Sequence, residues 1–192
     1  MKIFGRYSMC LLACLIMSAS AALAADDIRK EDQKKSLDKA EQWEKAALTR
    51  ELAATTEQMH ADDLLTKAQD LRQKSDTDTD SDRENDFLKV GEIERAAADL
   101  YVLSVANYDK AAANWTSAAE EYRKYKELER LRNARNRVDV ATRNATYACS
   151  RAAEIYEIAA NAFSLENAND PPRTGQALEK AATWRENLAA RK

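Results

Sequence analysis

Large aromatic side chains recur every seven residues in the middle of the chain, at Tyr101, Tyr108, Trp115 and Tyr122. Ala97, Ser104, Ala111, Ala118 and Tyr125 fill the three- and four-residue steps between them. A seven-residue repeat of this kind is a heptad seam, so the pattern predicts one long helix packing a large-and-small stripe against another helix. Upstream, Ile28 to Lys74 contains no Gly or Pro and is rich in Ala, Leu, Glu, Lys and Gln, all good helix formers. Leu37, Leu48 and Met59 recur there every eleven residues, as do Trp43, Ala54 and Leu65. Eleven residues over three turns predicts nearly straight, slightly right-handed packing, in a helix of about 45 residues and roughly 70 Å.

The run Ser75-Asp76-Thr77-Asp78-Thr79-Asp80-Ser81-Asp82 disfavours helix and ends this first element, and Asp82 with Asn85 or Asp86 can open the second. Gly91 interrupts the second helix at a cost of about 1 kcal/mol. A second heptad follows, with Val138, Ala145, Ala152 and Ala159 in one column and Thr142, Cys149, Tyr156 and Phe163 in the other. No Gly or Pro separates Glu92 from Asp170, so residues 92–168 form either one very long helix or a hairpin. Asn133 and Asn136 best tolerate a left-handed backbone. Folding back at Asn133-Ala134 sets Tyr108 against Ala159, Trp115 against Ala152, Tyr122 against Ala145 and Ala118 against Cys149, so that large opposes small. Residues 167–175 (NANDPPRTG) make the clearest break; Asp170 can cap and Pro171 can start a short last helix, Thr174 to Ala190.

The N-terminus carries Lys2 and Arg6, an apolar run from Met9 to Ala19, and small residues at Ala22 and Ala24. This reads as a secretory signal peptide, residues 1–24, cut between Ala24 and Ala25. The run is shorter than the ~20 residues that span a bilayer, and no transmembrane segment is expected after cleavage. Losing Lys2 and Arg6 moves the net charge from −3 to −5, which argues against nucleic acid as a partner. The expected fold is all-α: residues 25–192 as a single elongated, antiparallel helical bundle with coiled-coil packing, three long helices plus a short C-terminal one. Three Gly, two Pro and 33% charged residues suit it.

Little in the chain can carry chemistry. His60 is the only histidine; Glu57 and His60 have the Glu-x-x-His spacing of di-iron bundles, but such a site needs a second histidine. Cys10 and Cys14 leave with the signal, so Cys149 is alone, either a small core residue or the source of an intermolecular disulfide and a homodimer. The alternating Asp76, Asp78, Asp80 and Asp82 fail as a calcium loop, because Ser81 and Phe87 occupy the positions that require Gly and Glu. Catalytic, cofactor and metal residues are therefore expected to be absent, and the chain is expected not to be an enzyme. Arg130, Arg132, Arg135 and Arg137 put four cations in eight residues at the expected turn. Among Glu127, Glu129 and Asp139 they form either a solvated tip or a knob that docks on an anionic surface or an acidic partner.

Leu65-Thr66-Lys67-Ala68-Gln69 resembles the Leu-Thr-x-x-Gln signature of the CpxP/Spy-type periplasmic chaperones, which are helical and exported; the alanine-and-charge texture also looks like the helical stalk of Tol-type envelope proteins. Neither resemblance transfers a site. The expectation is an exported, periplasmic, secreted or cell-surface protein that presents helix faces to a protein partner as a scaffold. A chaperone-like holdase is the alternative that the first resemblance implies.

Overall fold

The computed structural model describes the backbone of residues 4–75, 80–164 and 170–191, and side chains of residues 27–75, 83–164 and 170–191. Four helices follow one another: α1 (Phe4–Ser75), α2 (Asp80–Lys124), α3 (Leu128–Ser164) and α4 (Pro171–Ala190). The three long helices pack antiparallel and the short C-terminal one closes the bundle. α2 is the shared neighbour: α1 and α3 each run along it, while their own backbones scarcely meet, and α4 packs on α3. Ala24 and Ala25 lie within α1, with their side chains outside the described residues. Asp76 and Asp78 also lie outside, as do the side chains of Asp80, Ser81 and Asp82.

The aromatic ladder of α2 is the core, as its spacing predicts. Tyr101, Tyr108, Trp115 and Tyr122 are all buried. What faces them from α1 is a column of alanines, Ala40, Ala47, Ala54, Ala61 and Ala68, each at most 1% exposed. Its repeat is seven, so the eleven-residue reading of α1 is overturned: Leu48 and Met59 are 48% and 64% exposed. The physical reason lies in the partner. A helix whose rings step every seven residues needs sockets at the same interval, and small side chains supply them. Burying each ring stabilises by about 2–3 kcal/mol.

Residues 92–168 do not form one helix; α2 and α3 make a hairpin, but it turns at Tyr125-Lys126-Glu127 and not at Asn133. Lys126 adopts the left-handed conformation (φ 59°). Its N–H donates to Arg123 O (3.3 Å), and that of Glu127 donates to Tyr122 O (3.1 Å). This pair of bonds satisfies the last carbonyls of α2 in a Schellman arrangement, normally built on Gly. Asn133 and Asn136 are exposed helical positions, and Ala134 is buried against Trp115 and Tyr122.

Moving the turn slides α3 by two heptads. Ala145 packs with Tyr108 and Ala54, and Ala152 with Tyr101 and Ala61. The columns keep their roles, so large still meets small, but each alanine sits two rungs from its expected ring. Cys149 is buried beside Tyr101, not Ala118.

At the other end, Gly91 lets the buried Phe163 ring lie on the α2 backbone; a Cβ there would come within 2.5 Å of the ring. Asp170 caps α4, accepting from the Arg173 N–H (3.1 Å), and Pro171 occupies the first turn as expected. Ala177 and Ala181 then bury the inner face of α4, with Trp184 and Leu188 half-buried beside them.

Candidate functional site

The buried rings of the ladder are met from both sides. From α1, Asp62 accepts from the Tyr101 hydroxyl (2.7 Å) and Glu51 accepts from the Trp115 indole N–H (2.8 Å), while Thr55 pairs with the Tyr108 hydroxyl (3.3 Å). Burial, and then Glu44, push the Tyr122 hydroxyl up to about 12. From α3, three arginines at steps of seven and fourteen residues lie over the rings: Arg130 over Tyr122 (5.7 Å), Arg137 over Trp115 (5.4 Å) and Arg151 over Tyr101 (5.9 Å). Cation–π contacts of this kind contribute about 0.5–2 kcal/mol each.

This divides the four arginines singled out in the sequence. Arg130 pairs with Glu41 (3.2 Å) and Arg137 with Glu51 (2.7 Å), both across to α1. They close the seam and are not free to form a knob. Arg132 and Arg135 stand exposed on α3. Arg135 and Arg123 flank an open groove of about 540 Å³ between α2 and α3, floored by Ala119, Leu131 and Val138. The basic cluster is therefore two seam residues and two solvent-facing ones, placed on the first turns of a helix.

The remaining candidates lose their chemistry. His60 is exposed, and Glu57 is turned to Asn107, accepting from its side-chain amide at 2.9 and 3.0 Å. Among the described residues, no group of three or more His, Cys, Asp or Glu side chains is placed to hold a metal ion. No helix among them is long and apolar enough to cross a membrane. Cys149 is buried; its thiol donates to Trp184 O (3.3 Å), and burial pushes its pKa up.

Two carboxylates on α2 are tuned in opposite directions. Glu94 occupies the ladder position below Tyr101, and burial raises its pKa, although Arg72 grips it with bonds of 2.7 and 2.9 Å. Glu121, near the turn, is held below the usual range by Ser36 and Lys124, with Lys39 close by. Both carboxylates tie α2 to α1, Glu94 through Arg72 and Glu121 through Ser36 and Lys39.

The feature missed in the sequence is on the outside of α1. Leu48, Leu52 and Met59 are 48%, 69% and 64% exposed. At 100° per residue they lie within about 40° of one another, forming one apolar stripe. Its signal was available: once the alanine heptad is taken as the inner face, Leu48, Leu52 and Met59 fall on the far side of α1, while Leu37, Trp43, Leu64, Leu65 and Leu71 flank the seam.

No protein-family model, curated protein or solved structure matches the chain. The Leu65–Gln69 segment that resembles the CpxP/Spy signature lies on α1, with Ala68 buried toward α2 and Thr66, Lys67 and Gln69 exposed.

Proposed function

We propose that this is an exported, non-enzymatic helical protein that works by presenting a helix face to a protein partner, as an envelope or surface scaffold. The observation that carries the reading is the apolar stripe of Leu48, Leu52 and Met59, left exposed on the face of α1 away from the aromatic seam. Soluble proteins seldom expose aligned large apolar residues without a partner for them. Export rests on the N-terminal sequence, and the non-enzymatic reading on a sequence that offers one histidine and, beyond the expected signal, one cysteine. A photo-crosslinking residue at Leu52, with one at exposed Arg143 on α3 as control, tests the reading in the source cell. Adducts of defined mass from Leu52 alone support it; equal, diffuse labelling at both positions overturns it.

A holdase of the periplasmic-chaperone type is the second reading. Leu103, Tyr147 and Leu178 are also at least 50% exposed, on three different helices, which suits clients of varied shape. Suppression of aggregation of an unrelated unfolded protein at equimolar ratio, without a complex of fixed stoichiometry, would favour it.

A further inference from the structure

We propose that the partner of the α1 stripe is a second copy of this chain, docked antiparallel; this rests on the reading of α1 as an interaction face. The stripe is flanked on the same side of α1 by two charges of opposite sign. Lys45 lies one turn before Leu48, and Asp63 one turn after Met59. Both are exposed, and among the described residues neither side chain has an ion pair or hydrogen bond.

A two-fold interface is self-complementary, each residue meeting a different one across the axis. A two-fold axis beside α1, level with residue 54, sets Leu52 of one copy opposite Thr56 of the other and Leu48 within one residue of the level of Met59. The same operation brings Lys45 opposite Asp63 at both ends, giving two ion pairs from one symmetry. Thr55 and Thr56 are small, so the two helices approach closely at the axis. A parallel arrangement sets Lys45 on Lys45 and Asp63 on Asp63, which like-charge repulsion disfavours. An antiparallel slip of one heptad keeps some apolar contact but loses both ion pairs. The charges therefore select orientation and register, as flanking charges do in paired helices.

Three large apolar residues per copy make a small contact, at the weak, transient end of interface sizes. The dimer is accordingly concentration-dependent. The test is sedimentation velocity from about 1 to about 200 µM, on protein expressed from its full sequence and purified as the cell delivers it. The expected result is a monomer–dimer equilibrium within that range. Leu52→Asp should weaken it at least about tenfold by placing a carboxylate on the apolar axis. Lys45→Asp alone and Asp63→Lys alone should each weaken it roughly three- to tenfold, since each affects two pairs. The double reversal, Lys45→Asp with Asp63→Lys, should restore dimerisation. All three positions are exposed, so far-UV circular dichroism and Tm should match the parent and separate interface loss from unfolding.

A monomer throughout the range overturns the inference, as does a dimer indifferent to Leu52→Asp. A double reversal no better than either single change overturns the antiparallel register. If the protein stays monomeric while a crosslinker at Leu52 traps a different protein, the second copy is excluded and the interaction face stands. If it stays monomeric and Leu52 labels no more specifically than Arg143, both readings fall.

Discussion

The two ends of the α2 ladder are built differently. At the α4 end, Tyr101, Ile155 and Tyr156 are at most 1% exposed, buried with Ala181 of α4 and Ala61 of α1. At the turn end, Trp115 and Tyr122 have only α1 and α3 around them, and the α2–α3 groove past α4 lies open over Leu131 and Val138. Each end buries one glutamate, Glu94 with Arg72 at the closed end and Glu121 with Lys124 and Lys39 at the open one, where exposed Arg130 and Glu41 add a surface pair. Surface ion pairs of the latter kind contribute about 0–1 kcal/mol each. Ion pairs such as Lys180–Asp99 and Arg185–Glu157 tie the α4 end as well, so what separates the two ends of the seam is the cover that α4 gives one of them.

Truncation to alanine at the two ends should cost unequally. Phe163→Ala removes a fully buried ring that rests on the bare backbone of Gly91, which has no side chain to fill the space. It should destabilise by about 3–5 kcal/mol. Leu131→Ala, at a half-buried groove position, should cost about 1–2 kcal/mol. Urea titrations of both variants, read as midpoint shifts at constant slope, measure the difference; similar losses would break the comparison.

The buried pair sharpens it further. Arg72→Ala leaves Glu94 buried without its cation and should cost about 2–4 kcal/mol at neutral pH, below the full buried-pair value because the Arg72 side chain is 36% exposed. The pH dependence has a definite sign. Glu94 is raised above its ordinary 4.5, so the native state holds this proton to higher pH than the unfolded chain, and stability from this group falls as pH rises through that window. Arg72 opposes the rise, so its removal moves the native pKa further up. The loss should therefore be largest at neutral pH and shrink on acidification, as Glu94 takes up its proton. Glu121 behaves oppositely. Its lowered pKa means that its contribution is complete above the ordinary carboxylate range and is lost as pH falls through the depressed value. Denaturation followed from about pH 7 to about pH 4 in parent and Arg72→Ala reads the Glu94 effect, and extending the parent series to lower pH reads the loss at Glu121.

How far this was legible in the sequence depended on what each residue touches. The all-α bundle, the aromatic core and the cap at Asp170 follow from spacing and local chemistry. The hairpin register does not, because a heptad repeat looks the same after a slide of seven or fourteen residues, and only the turn breaks the tie. The turn was obscured because Lys126 takes a conformation for which Asn133 is the better residue. The inner face of α1 was misread because alanines are weak apolar signals beside Leu48 and Met59, and became plain only against the rings they socket. The split of the arginines was invisible for a different reason: Glu41 and Glu51 lie 89 and 86 residues from Arg130 and Arg137. Nothing local distinguishes those two from Arg132 and Arg135.

The smallest expected effect tests the turn on which the register depends. A lysine in the left-handed region carries a steric cost that glycine lacks, so Lys126→Gly should stabilise the protein by about 1 kcal/mol. For a chain of this size that is a rise in Tm of roughly 2–4 °C. Asn133→Gly should act in the opposite sense, because Asn133 is an exposed interior position of α3, where glycine costs a few tenths of a kcal/mol more than asparagine. Were the hairpin to close at Asn133, the two signs would exchange: glycine would help at 133 and weaken a continuing helix at 126. Scanning calorimetry of the two single variants therefore reads the position of the turn from the direction of each shift, even though both are small. Because every rung of the ladder is set by that position, the same pair of signs decides whether Tyr108 meets Ala145 or Ala159.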